Sequence, residues 1–295
     1  MKYVITGSLG HISKPIVQEL LAAGHKVSVI SSREENAGLI TDLGAAALIG
    51  SLEDRTFVEN SFEETEAAYL MIPQNFAASD FYAYQQQVAD NYIAAITKHK
   101  IKYVVQLSSI GAHLRQASGP IDGLGYLEEE LGKLEETNVL MLRPSFFFYN
   151  LFGQADMVKQ AGIFGSNFGG EEKLVLADTA DIAEEAVQAL LNLSFTGHSV
   201  KYISSDERTT DEIASVLGEA IGKPGTPWVV LSDEQSLQGM IGGGVPKPMA
   251  ESYTQMGKSI REGLIQEDYW KNKPTPTKKH TLETFAKSFA GAFKA

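Results

Sequence analysis

Near the amino terminus the apolar run Lys2-Tyr3-Val4-Ile5-Thr6 leads straight into Gly7-Ser8-Leu9-Gly10-His11-Ile12-Ser13. Glycines between a strand and a helix suit a phosphate. Gly7 can take the tight turn, Gly10 lets the main chain approach a pyrophosphate, and the free N–H groups and dipole at the helix start favour negative charge. A strand before and a helix after separate such a loop from an ordinary glycine turn, so Gly7, Ser8, Leu9, Gly10, His11 and Ile12 are candidate contacts for a dinucleotide. The next apolar run, Val27 to Ser31, ends in Ser31-Ser32-Arg33. An acid there would hold the 2'-hydroxyl of NAD, whereas two hydroxyls and a guanidinium make a cradle for the 2'-phosphate of NADP. The pattern favours NADP(H) over NAD(H). Against it stand Glu34 and Glu35, which would repel a phosphate if Arg33 were only a solvated residue past the strand.

Other reactive residue types are sparse. The 6 histidines, His11, His25, His99, His113, His198 and His280, include no pair four apart and no neighbouring cluster of acids, so no metal site is expected. His11 could touch a cofactor and His113 could face a substrate, the alternative for each being a surface position. Phe146-Phe147-Phe148-Tyr149 lies just past a strand's carboxyl end, where pockets form. The run could be an aromatic floor for a flat substrate or part of the core. Ser108 and Ser109 lack the Gly-x-Ser-x-Gly setting of a hydrolase.

These residues need a frame of alternating elements. Ile12, Ile16, Val17, Leu20 and Leu21 recur at helical spacing, with Pro15 in the first turn and Gly24 placed to end the helix. Further strands are expected at Ala45 to Gly50, Ala67 to Ile72, Tyr103 to Ser108 and Val139 to Leu142, with a helix over Phe81 to His99. Six short strands alternating with helices predict an α/β fold, a doubly wound parallel sheet covered on both faces. Residues 1–150 are expected to form the nucleotide-binding domain. Residues 151–295 should form a smaller, mainly helical lobe, partly interleaved with the sheet, that closes over its carboxyl edge. Helices at Asp181 to Leu193, capped by Asp178 or Thr179, and at Thr210 to Ile221 belong to it. Gly242 to Pro248 is either a mobile loop or a plain connector.

With 295 residues and 43% hydrophobic content the chain can bury a large core. A formal charge of -12 argues against nucleic acid or an anionic membrane as partner, both of which need a basic face. The lack of cysteine removes disulfides, thiolate catalysis and zinc-thiolate sites. The chain enters a strand at once, with no signal-like or membrane-spanning apolar run, and the expectation is a soluble cytoplasmic protein acting on a small molecule.

Three segments in order, Val4-Ile5-Thr6-Gly7-Ser8-Leu9-Gly10, Val105-Gln106-Leu107-Ser108-Ser109-Ile110-Gly111-Ala112 and Leu142-Arg143-Pro144-Ser145-Phe146-Phe147-Phe148-Tyr149-Asn150, together with Asp181-Ile182-Ala183, resemble the NmrA-like family of atypical short-chain dehydrogenase/reductase relatives. The resemblance runs along nearly the whole chain. It implies an NAD(P)-binding Rossmann domain, with Gly7 to Ile12 on the pyrophosphate, Arg33 on the 2'-phosphate, and Ile72-Pro73 lining the cofactor. Ser109 and the turn Pro144-Ser145-Phe146 would flank the nicotinamide. Ser13 replaces the usual third glycine, which should loosen helix–strand packing a little. The wider superfamily uses Tyr-x-x-x-Lys, whose ammonium lowers the phenol's pKa for proton donation. Here Tyr126, the candidate catalytic residue, is followed by Glu130, and Leu124 stands where several relatives carry lysine or histidine. Tyr269 and Lys273 have the spacing but lie in a polar segment far down the chain, where it is read as coincidence. Two functions remain open. One is an oxidoreductase passing hydride from NADPH to a quinone or similar conjugated carbonyl, with His113, Phe147, Phe148 and Tyr149 toward the substrate. The other is a non-catalytic NADP(H) sensor acting through a protein partner.

Overall fold

Apolar runs too short for helices and largely hydrophobic along their length become buried parallel strands, and in the computed structural model, which describes residues 1–294, they alternate with helices from the first residues onward. In chain order the first half runs β1 (Lys2–Ile5), α1 (Ser13–Ala22), β2 (Lys26–Ser31), α2 (Asn36–Asp42), β3 (Ala46–Ile49), α3 (Arg55–Ser61), β4 (Ala67–Leu70), α4 (Phe81–His99), β5 (Tyr103–Leu107), α5 (Asp122–Leu131) and β6 (Asn138–Pro144). The second half runs β7 (Phe146–Phe147), α6 (Ala155–Ala161), β8 (Phe164–Ser166), β9 (Leu174–Ala177), α7 (Thr179–Asn192), β10 (His198–Ile203), β11 (Asp206–Arg208), α8 (Thr210–Ala220), β12 (Trp228–Val230), α9 (Asp233–Gly242), α10 (Lys247–Arg261), α11 (Glu267–Lys271) and α12 (Leu282–Lys294).

The main sheet has seven parallel strands in the order β10-β6-β5-β4-β1-β2-β3. Its order reverses beside β1, the switch point at which such sheets open a crevice for ligands. Period-two alternation sends Tyr3 and Ile5 of β1 against Ile16, Val17 and Leu20 of α1 and Ile182 and Ala186 of α7. Val4 faces the other way, into a layer with Val58 of α3, Val88 and Tyr92 of α4 and Leu127 of α5.

The expectation of six strands is corrected to seven. β10 comes from the second half and pairs with β6 along its whole length, Tyr202 opposite Arg143 and Ile203 opposite Pro144. It escapes a search for apolar runs because it is an edge strand whose His198 and Lys201 face water, and only Tyr202 and Ile203 are buried. α7 starts on Asp178, whose carboxylate accepts from the Ala180 N–H at 2.8 Å, and carries the chain back across the sheet to reach β10.

Outside the main sheet, β7, β9 and β11 form one small sheet, and β8 and β12 another. With α8 and α12 they enclose an aromatic core that includes Phe148, Phe164, Trp228, Phe285 and Phe289. No helix among the described residues is long and apolar enough to cross a membrane.

Candidate functional site

The loop between β1 and α1 has the backbone that its glycines suggest. Gly7 sits at φ +88° and Ser8 at +55°, and the Gly10 N–H closes the turn on the Gly7 carbonyl at 3.2 Å. The two glycines serve different ends. A Cβ at Gly7 would lie 2.7 Å from Ser13 Oγ and 2.8 Å from Met71 Cγ, so that position is fixed by the fold. Gly10 is exposed, and a Cβ there would meet only the Gly7 carbonyl oxygen, at 3.3 Å. Its openness faces the space a ligand would fill. Ser13 does not loosen the helix start: its buried hydroxyl donates to the Thr6 carbonyl at 2.9 Å and ties α1 to the end of β1.

Beside the loop, the end of β2 supplies hydroxyls held by a residue the sequence reading passed over. Asn36 Nδ2 donates to both Ser8 Oγ and Ser31 Oγ at 3.0 Å, and the Ser8 hydroxyl donates to Ser31 at 3.1 Å. Asn36 is the first residue of α2 and is buried, so it joins the glycine loop to the β2 end through its side chain alone. An asparagine at a turn into a helix is a recognisable type, but its target depends on tertiary placement. Ser8 and Asn36 line a cavity of about 490 Å³ between α1 and α2, whose polar lining also includes Lys14, Arg33 and Asp42. Ser32 and Arg33 are exposed. Arg33 Nε stands 3.8 Å from Glu35.

Further along the carboxyl edge, Ile72 is buried and Pro73 half-buried just past β4, and Ser109 is half-buried past β5 with its hydroxyl on the Ile110 carbonyl. Pro144 and Ser145 are buried, and the Ser145 hydroxyl donates to Ile203 at 3.2 Å, which anchors the turn to β10. Phe146 packs on Phe168 with ring centroids 6.0 Å apart, and Phe147 packs beside the α1–α7 layer. Tyr149 is 51% exposed and meets His11 of the glycine loop, ring centroids 4.8 Å apart. Phe148 is corrected from pocket wall to core, being 1% exposed and stacked on Phe285.

Two further candidates are Tyr126 and His113. Tyr126, on α5, donates its hydroxyl to Asp90 of α4 at 2.8 Å, and partial burial together with that carboxylate pushes the phenol up to about 12. Its partner is Asp90 rather than Glu130. His113 sits beside the lobe, both ring nitrogens buried and unpartnered among the described residues, and burial holds the ring below the usual imidazole range against the pull of Asp268. Close by is a buried charge network. Arg143 forks onto Glu128 at 2.9 and 2.6 Å, reaches Tyr202 at 2.9 Å and Asp268 at 3.0 Å, and Ser108 donates to Glu128 at 2.5 Å. Tyr269, within its polar segment, is fully buried, its hydroxyl on Ser204 and Glu207, with Lys273 on the other Glu207 oxygen at 3.1 Å. Both ends of that Tyr–Lys spacing bind one carboxylate, a structural tie of α11 to β11.

Comparison with known proteins adds four findings. The family model described as the NmrA-like family matches residues 2–267. The NAD(P)H azoreductase of Xenophilus azovorans is 26% identical, with 99% of each chain covered. The chain also shares its fold with an NADPH-dependent quinone oxidoreductase of Escherichia coli, at a TM-score of 0.78, 19% identity and 99% coverage of both chains. The triphenylmethane reductase of Citrobacter sp. complexed with NADP(H) gives a TM-score of 0.76 at 17% identity, covering 97% of this chain and 99% of that one.

Proposed function

The chain belongs to the NmrA-like family, and on that premise we propose that it is an NADP(H)-dependent oxidoreductase that passes hydride to a quinone or a comparable flat, conjugated acceptor. The observation that carries this reading is the cradle at the β1–α1 loop: left-handed Gly7 and Ser8, open Gly10, and the Ser8 and Ser31 hydroxyls gathered by Asn36 beside Arg33. The donor set fits a dinucleotide. In it Gly7 to Ile12 hold the pyrophosphate, while Ser31, Ser32 and Arg33 receive the 2'-phosphate. Ile72, Pro73, Ser109, Pro144, Ser145 and Phe146 line the nicotinamide end, and Phe147 and Tyr149 are the walls offered to the acceptor. The named acceptors of the azoreductase, the quinone oxidoreductase and the triphenylmethane reductase are all conjugated, which supports the acceptor class.

NADPH, when bound, supplies the hydride. A quinone that takes hydride becomes a hydroquinone anion and needs one proton to finish, so the balance is quinone, NADPH and a proton to hydroquinone and NADP⁺. Tyr126 is a poor source, since its proton is shared with Asp90 and its pKa lies far above neutrality. The proton is assigned to water, which suffices for a stable hydroquinone anion. The absence of a poised acid also favours a second reading, a sensor that binds NADP(H) without turnover.

The test is NADPH oxidation against a panel of quinones and azo dyes, beside an NADPH binding isotherm. Binding with turnover of at least one acceptor is expected. Binding without turnover of any acceptor would transfer the case to the sensor, and failure to bind either dinucleotide would overturn both.

A further inference from the structure

We propose that Lys14 is a specificity-determining residue, its ammonium gripping the dinucleotide's 2'-phosphate from the α1 side of the cavity while Arg33 grips it from the β2 side, with Asp42 on the same cavity limiting the strength of the hold. The inference rests on the NADP(H) reading above.

Charge supply is the first argument. The chain carries a formal charge of -12, yet one cavity against the glycine loop gathers two cations, Lys14 and Arg33, against the single carboxylate of Asp42. A phosphate monoester near neutral pH carries between one and a half and two negative charges, as a rough figure. Arg33 alone is poorly matched to it, because Glu35 stands 3.8 Å from its guanidinium and Glu34 is adjacent in the chain. Lys14 is exposed and forms no ion pair among the described residues, so its charge is available to a ligand.

The second argument is where Lys14 stands. It is the second residue of α1, in the first turn, where the helix dipole disfavours a cation and favours an acid. A phosphate in the cavity removes that conflict. Asn36 donates to the oxygens of both Ser8 and Ser31, and Ser8 donates to Ser31, so this group fixes the shape of the loop end. Asn36 is thus a positioning residue, and Lys14 and Arg33 supply the charge.

Asp42 gives the proposal a sign that can be checked. A carboxylate lining the same space repels the phosphate, so the discrimination for NADPH over NADH is moderated rather than maximal.

The experiment uses the whole protein and two fragments of the cofactor, 2',5'-ADP and 5'-AMP, which differ only in the 2'-phosphate. Titration calorimetry is run on the parent, Lys14→Gln, Arg33→Ala, the double variant and Asp42→Asn. Both cations are exposed, and circular dichroism checks that each variant is folded. Lys14→Gln is expected to weaken 2',5'-ADP about tenfold and leave 5'-AMP unchanged, as loss of one charge-assisted phosphate contact should. Asp42→Asn should tighten 2',5'-ADP several-fold, and the double variant should bind the two fragments alike. If Lys14→Gln binds 2',5'-ADP as the parent does, or loses 5'-AMP equally, the role of Lys14 is overturned while the cofactor reading stands. If the parent itself fails to distinguish the two fragments, the NADP preference falls first and this inference with it.

Discussion

Gly7 and Gly10 look alike in sequence but answer to different constraints. Alanine at Gly7 would keep a left-handed backbone at φ +88° and press its Cβ on Ser13 and Met71, so Gly7→Ala is expected to cost about 2 kcal/mol of stability in a denaturant titration. Gly10→Val should fold with little loss and fail to bind NADPH, because only a ligand occupies the space its side chain would enter. Unchanged affinity in a folded Gly10→Val protein would remove the loop from the site. Arg33→Ala is expected to weaken NADPH by about 1.5 to 3 kcal/mol, roughly ten- to a hundredfold, with NADH nearly unaffected in the same binding assay. Tyr126→Phe should change turnover less than about threefold, since the phenol is committed to Asp90 and sits near 12; a loss of the hundredfold order typical of a general acid would restore it to the mechanism. At this scale the sequence shows the loop, because glycine spacing is local. It conceals Asn36, whose role exists only once Ser8, 28 positions earlier, is folded against it.

Between elements, the Arg143 fork holds β6 to α5 through Glu128 and to β10 and α11 through Tyr202 and Asp268. Burial works against the guanidinium's charge, but the hydrogen bonds and charge of Glu128 outweigh it and hold Arg143 above the ordinary guanidinium range. Arg143→Met strands the Glu128 carboxylate, which is 3% exposed, and should cost about 3 to 5 kcal/mol in thermal or denaturant unfolding. Adding Glu128→Gln should recover a large part of that loss, whereas equal losses in the single and double variants would show that the pair itself does not set the cost. The elements were legible where periodicity was clean: α1 ends before Gly24, α4 spans Phe81–His99 and α7 is capped by Asp178, all at the expected places. β10 was not, because an edge strand mixes exposed His198 and Lys201 with buried Ile203. Nor was the burial of Tyr269, whose polar neighbours in sequence conceal a ring packed edge-on against Tyr202.

For the whole molecule, acid is the sharper challenge to stability. At Asp181 burial opposes the charge, but hydrogen bonds from Ser205, Thr277 and His280 prevail and hold the carboxyl below its usual range. Asp206 is lowered likewise, burial being outweighed by Arg208 and the Leu282 and Glu207 N–H groups. The unfolded chain binds these protons more readily, so the stabilisation is complete above the ordinary carboxylate pKa, about 4, and drains away as pH falls below it. Since Asp181 and Asp206 grip Thr277, His280 and Leu282, α12 should be the first element to gain hydrogen exchange as pH drops from 5 to 3, and Asp181→Asn should flatten the decline of Tm over that interval. The placement of β10 carries a further consequence, for synthesis. Residues 1–150 leave the ribosome with β6 as a bare outer edge, its N–H and C=O groups unpaired until residues 198–203 arrive. The nascent chain must wait through some fifty more residues, with α7 among them, before the sheet can close. A chain stalled once residue 150 has cleared the exit tunnel should therefore remain protease-sensitive and prone to edge-to-edge association, and one stalled after the whole of β10 has cleared it should not.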